Sequence, residues 1–233
     1  MLNIKHLKQE LKKLANPKQA KILARFFKTK KGEYGEGDVF LGIKVPVQRI
    51  VAKKYTDLAL QDAEKLLSGK IHEHRLISLF ILIAKYKKAN EKGRQEIYKI
   101  YLKNAKNINN WDLVDLSAPN IVGDYLQKRP RDILYKLAKS KNLWERRITV
   151  LATFAFIRNN DFTDALKISQ ILLKDEHDLI HKAVGWMLRE LGKRNQGIEE
   201  KFLKKYYHKM PRTMLRYAIE KFSEEKRKFY MGK

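Results

Sequence analysis

Trp111 and Asp115 stand four residues apart in the stretch Asn109-Asn110-Trp111-Asp112-Leu113-Val114-Asp115. On a helix that spacing puts an indole face and a carboxylate on one side. The chain around them carries a formal net charge of +25, so the carboxylate is an anion held where a polyanion would dock. Such a placement suits a reaction in which positive charge develops beside it, and it points to an enzyme acting on nucleic acid. Asp115 could instead pair with an Arg or Lys of a neighbouring repeat. Asp112, in the first turn of the same helix, reads as a residue that favours the helix dipole and caps free amides.

The other two of the three tryptophans also lie near basic residues, Trp144 with Arg146 and Arg147, and Trp186 with Arg189. A tryptophan on an amphipathic helix can simply be core. Trp144 is the best core candidate, because it opens its helix ahead of the apolar run 148–157. Trp186 follows Gly185, whose missing side chain could let a ligand come close to the indole.

These residues need elements to position them, and the periodicity predicts helices nearly everywhere. Apolar residues recur at three- and four-residue spacing, with little strand-like alternation. The expected helices are 4–15, 17–28, 45–55, 60–67, 72–87, 93–103, 110–127, 131–138, 143–158, 162–173, 178–194, 198–207 and 212–222. Pro17, Pro46, Pro130 and Pro211 suit first-turn positions. Pro119 falls inside the segment beginning at Trp111 and predicts a kink or break near Ser117. From His72 onward, long helices alternate with shorter ones and begin roughly every 32 to 39 residues, the range of helical repeats.

The fold class expected is therefore all-α, a helical solenoid in one domain. Its parts are N-terminal helices with a glycine-containing loop (1–70), a repeat array (71–222) and a charged tail that frays (223–233). Four long helices carry a basic residue at a comparable early position, Arg75, Arg147, Lys182 and Arg216. Stacked repeats would align them along a concave basic groove that tracks a phosphate backbone. The segment 28–44 holds Gly32, Gly35, Gly37 and Gly42 but lacks the spacing of a phosphate-binding P-loop. It is either a connector whose glycines allow tight turns near the groove or an ordinary surface loop.

Composition narrows the functional classes. The absence of cysteine excludes disulfides, a cysteine nucleophile and thiolate zinc sites, and the six histidines offer no HExxH spacing. His72 and His74, two residues apart, point in different directions on a helix, so no metal is expected. The 51 Lys and Arg against 26 Asp and Glu predict a field that draws in phosphates. Many lysines, such as the doublets at 12–13, 53–54 and 87–88, would merely solvate helix faces. No apolar run suits a bilayer, and the first residues build no signal-peptide core. The expected setting is the cytoplasm, associated with the nucleoid, with nucleic acid as partner in preference to membrane.

Three strings taken together resemble one known family: Asn110-Trp111-Asp112-Leu113-Val114-Asp115, Trp144-Glu145-Arg146-Arg147, and Lys182-Ala183-Val184-Gly185-Trp186-Met187-Leu188-Arg189-Glu190. With Ala24-Arg25-Phe26-Phe27-Lys28 and Phe40-Leu41-Gly42-Ile43 they are similar, in the same order, to the AlkD family of alkylpurine DNA glycosylases. The resemblance implies a right-handed solenoid of HEAT-like repeats. It places the family's catalytic aspartate on Asp115 and its two sugar-flanking tryptophans on Trp111 and Trp186. The phosphate-binding arginine falls on Arg147, with Arg146 as the other reading of the pair. A tyrosine that the family can place near the lesion falls on Phe26, which keeps a stacking face and lacks the hydroxyl. Arg75, Lys182, Arg189 and Arg216 complete the expected DNA-binding set.

The resemblance further implies a monomer that needs no cofactor and excises purines such as 7-methylguanine or 3-methyladenine from double-stranded DNA. Glycosylases generally extrude the damaged nucleotide, whereas this family engages the lesion through the backbone with the base in or near the stack. Two other readings fit the composition: a non-catalytic DNA-binding relative that recognises damaged or branched DNA, and a protein-binding repeat scaffold.

Overall fold

Asparagine side chains start helices along the whole chain. In the computed structural model, which describes residues 3–232, Asn3, Asn16, Asn90, Asn142 and Asn195 accept backbone N–H groups at helix N-termini. The helices they open are α1 (Ile4–Lys13), α2 (Pro17–Phe26), α6 (Glu91–Lys103), α9 (Leu143–Arg158) and α12 (Gln196–Tyr206). Each such cap stabilises its helix by about 1 kcal/mol. The others are α3 (Val45–Lys54), α4 (Leu60–Leu67), α5 (His72–Lys88), α7 (Trp111–Ala118), α8 (Asp132–Ala138), α10 (Thr163–Ile171), α11 (Asp178–Gly192), α13 (Arg212–Ala218) and α14 (Glu224–Met231). Among the described residues, extended pairing is limited to one isolated bridge between Val39 and Ile71. The chain is all-α, as its periodicity predicts. No helix among the described residues is long and apolar enough to cross a membrane.

The chain divides into two compact units, Met1–Ser117 and Ala118–Lys233. In the first, α5 is central and packs against α3, α4 and α6. Its Leu76, Ile77, Leu79, Ile81 and Leu82 are buried on several sides at once, so the helix reads as apolar all round instead of striped. Burying one such side chain contributes about 1.5–3 kcal/mol.

The glycine-containing loop of the first unit is an ordered strap. Glu73, buried in the first turn of α5, accepts the backbone N–H groups of Leu41, Gly42 and Ile43 at 2.9, 2.8 and 3.2 Å. Gly42 has φ +84°, and a Cβ there would lie 2.1 Å from the Asn16 carbonyl oxygen. The strap can therefore lie against the start of α2 only with glycine at this position. Of the two readings of this segment, the tight-turn connector describes it better than a loose surface loop.

In the second unit, α9 packs on α8, α10 and α11, and α11 packs on α12 and α13. This is the alternation of shorter and longer helices expected of repeats. Pro119 opens a π-helical turn, Pro119–Gly123, where the sequence predicts a kink or break. The wider coil makes room for the proline ring and for its missing N–H. Pro130 and Pro211 lie just outside their helices instead of in the first turn; Pro211 is the N-cap position of α13.

The tail is a correction. Residues expected to fray form α14, capped by Ser223 Oγ on the Lys226 N–H. Tyr230 is buried, with its ring 5.3 Å from Tyr207 and 5.9 Å from Phe222. One buried aromatic face outweighs the solvation of the surrounding charges.

Candidate active site

The first unit carries α7 and with it Trp111 and Asp115. Both side chains are half-buried, and they lie one helical turn apart. Asp115 is therefore not sealed in the core. Its charge reaches inward far enough to help raise the pKa of the fully buried Tyr101 phenol, for which burial is the first cause. Tyr101 shares a 2.9 Å hydrogen bond with Ser117, and the Ser117 hydroxyl donates to the Leu113 carbonyl. These bonds tie α7 to α6 directly behind the Trp111–Asp115 turn.

Trp111 belongs to a group of rings. Its indole stacks on Phe27 at 5.4 Å, and Phe27 stacks on Phe40 at 5.3 Å. Phe26 meets Trp111 edge-on at 6.1 Å and is 61% exposed. A large apolar side chain open to solvent beside a half-buried indole is a surface on which a base or sugar can lie. Beneath the rings sits a charged group that spacing does not reveal. His72 contacts Asp38 through Nδ1 at 3.1 Å and Asp112 through Nε2 at 2.9 Å. Arg75 donates to the other oxygen of Asp38 at 2.6 Å, and Asn109 donates to that same oxygen at 3.1 Å.

Burial opposes the charge on both partners of this group and loses on both. The Asp38 carboxyl stays below its usual range because His72 and Arg75 outweigh desolvation. His72 is raised to about 9 because the Asp112 and Asp38 carboxylates outweigh desolvation. Asp112 is thus more than a first-turn acid. One oxygen takes the Leu113 N–H at 2.9 Å and the other holds His72.

The second unit holds Trp144, Trp186 and, apart from Arg75, the expected cations. Trp186 is half-buried on α11, and its Nε1–H donates to Glu190 at 3.1 Å. Its ring centroid lies 6.0 Å from Phe154. Gly185 faces the protein, not a ligand: a Cβ there would be 2.4 Å from the Met214 carbonyl oxygen and 2.5 Å from Tyr217 Cβ. Its missing side chain lets α13 approach α11. Trp144 is buried, in keeping with a core role.

The expected row of cations is placed differently from the sequence reading. Arg75 is only 4% exposed, and besides Asp38 it donates to the Gly69 carbonyl at 2.9 Å. Arg147, also 4% exposed, donates to the Leu179 carbonyl. The repeat-equivalent arginines therefore brace neighbouring backbone segments, with their aliphatic stems in the core. Arg146 is held by Asp175 at 2.6 Å and by the carbonyls of Ser140 and Lys141. Arg189 pairs with Glu220, and Lys182 with Asp178 at 2.6 Å. Arg216 is exposed. Of the four aligned positions, Arg216 is exposed, Lys182 is half-exposed in its pair with Asp178, and Arg75 and Arg147 are committed inside the protein.

Residues 7–222 match the sequence model of the family described as DNA alkylation repair enzyme. No curated protein matches the chain. A solved structure described as a predicted DNA alkylation repair enzyme from Enterococcus faecalis is similar at a TM-score of 0.71 and 17% identity. The match covers 90% of this chain and 97% of that one. At that identity the similarity speaks for the fold.

Proposed function

The chain belongs to the DNA alkylation repair enzyme family, and on that premise we propose that it is a DNA glycosylase acting on purines alkylated at a ring nitrogen, such as 7-methylguanine and 3-methyladenine, in duplex DNA. The observation that carries the reading is the half-buried Asp115 carboxylate, one turn on α7 after Trp111, whose indole meets the exposed ring of Phe26.

A purine alkylated at a ring nitrogen is cationic and leaves as a neutral base, so it needs no strong general acid. What must be stabilised is the oxocarbenium-like deoxyribose. A carboxylate about 4 Å from that cation contributes roughly 4 kcal/mol at an effective dielectric near 20, or about a thousandfold in rate. Asp115 takes this role and orients the water that attacks the anomeric carbon. Trp111 is a sugar-contacting indole whose face attracts the growing positive charge, a role that the resemblance assigns to Trp186 as well. Phe26 stacks without donating a hydrogen bond.

Arg216 meets phosphate as an exposed cation and Lys182 from its half-exposed pair with Asp178, whereas Arg147, the phosphate ligand that the resemblance indicates, is 4% exposed and braces the Leu179 carbonyl. Arg146, the other reading of that arginine pair, is held by Asp175, and Arg189 is held by Glu220. The protein acts as a monomer, without a cofactor, in the cytoplasm where the nucleoid lies.

The test is release of methylated base and formation of abasic sites from methylated duplex DNA. Asp115→Asn should lower single-turnover release by about a thousandfold while duplex binding stays within a few-fold. Full release by this variant would remove Asp115 from the mechanism. Tight binding with no release by the wild-type protein would identify a DNA-binding relative instead.

A further inference from the structure

His72 is the first residue of α5, where the helix dipole disfavours a positive charge. It is 2% exposed and has a carboxylate on each ring nitrogen. A neutral imidazole carries one N–H and would turn a lone pair toward one of those carboxylates. Both contacts are hydrogen bonds only when both nitrogens are protonated, so the geometry itself selects the imidazolium. The groups facing His72 are Asp38 from the strap, Asp112 from α7 and Arg75 from α5 itself, with the uncharged rings of Phe27 and Phe40. Two acids and two cations balance.

We propose that the His72 imidazolium is a positioning residue for base release, pinning the first turn of α7 through Asp112 so that Trp111 and Asp115 keep their productive placement. The inference rests on the glycosylase reading of Asp115.

Two routes run from His72 to the reacting face. The first is the helix: Asp112 directly follows Trp111 and precedes Asp115 by three residues, on a helix of only 8 residues. The second is aromatic: the His72 ring lies 5.1 Å from Phe27, which stacks on Trp111 at 5.4 Å. Phe40, stacked on His72 at 4.5 Å, keeps the imidazole from turning away. Displacing a reacting group by about 1 Å can cost roughly a hundredfold in rate. Loss of the pin should therefore appear in the rate of the chemical step and not in DNA affinity. With His72 raised to about 9, the pin is closed at neutral pH and opens as the pH rises through that value.

The experiment compares wild type, Asp112→Asn and Asp112→Glu. Single-turnover release of 7-methylguanine from methylated duplex is followed from pH 6 to 10, alongside duplex affinity and imidazole nitrogen NMR of His72. Wild type should show two protonated ring nitrogens at pH 7 and lose activity with a midpoint near 9. Asp112→Asn should release base about 10- to 100-fold more slowly, with duplex affinity unchanged and the alkaline loss moved to lower pH. Asp112→Glu should recover part of the rate. A wild-type rate and pH profile in Asp112→Asn would overturn the proposal, as would a single ring N–H on His72 at pH 7. Failure of the wild-type protein to release any base would instead overturn the glycosylase reading and take the catalytic role of the pin with it, while the NMR would still report whether His72 is charged.

Discussion

Trp111 and Trp186 are held by different physics. Trp111 stands above buried charge: Asp112 is bound to His72, His72 to Asp38, and Asp38 to Arg75. Trp186 stands on close helix packing, where Gly185 lets α13 approach α11, and its N–H is taken by Glu190 one turn along the same helix. The α7 side therefore depends on a proton, and the α11 side depends on shape. A protein can place two similar indoles with unrelated supports, and pH should separate them.

The largest expected effect on stability comes from emptying the charged support. His72→Ala leaves Asp38 and Asp112 without the cation between them, and breaking such a buried arrangement costs about 3–5 kcal/mol. The pKa of His72 is raised from 6.5 to about 9 in the fold. The stabilisation from its charge is thus fully present below about 6.5 and is lost as the pH rises through about 9. Urea denaturation should show the gap between wild type and His72→Ala widest near pH 6 and narrowing toward pH 10. A gap of constant size would mean that folding does not raise the pKa of His72.

The shape-based support should respond otherwise. Gly185→Ala forces a Cβ against the Met214 carbonyl and Tyr217, and such overpacking costs about 1–3 kcal/mol. The loss measured by urea should be the same at pH 6 and pH 9. A strong pH dependence would erase the contrast between the two supports.

The smallest effect belongs to Glu190→Ala, which removes the acceptor of the Trp186 N–H and the partner of Lys193 at 2.7 Å. About 0.5–1.5 kcal/mol should be lost, together with a change in tryptophan fluorescence. An unaltered indole environment would show that Phe154 and the helix packing suffice to hold Trp186.

Much of this was legible in the residues. Helical periodicity located α5, α9 and α11 closely, because each buries apolar residues at the repeat that its own backbone imposes. Trp111 and Asp115 could be placed on one face because four residues make about one turn. Asp112 was legible only in part: its role at the helix start is local, whereas its bond to His72 spans 40 residues. The arginines show the same limit. Their recurrence at 75 and 147 is visible in the chain, but a basic residue at a repeat position can reach outward to phosphate or inward to a carbonyl, and both choices have the same spacing. Ser223 ahead of two glutamates is a local helix-start signal, and the charge of the tail hides the one buried face that stabilises the helix.

What the amino-acid order decided alone is the set of relations within one or two helical turns: the caps, the apolar stripes, and the indole and carboxylate sharing a face of α7. Only the folded arrangement decided that His72 would stand between acids drawn from a strap and another helix, and that Arg75 and Arg147 would turn into the protein. The physical reason is range. Local geometry follows from backbone periodicity, while the burial of a charge depends on which distant group arrives to balance it.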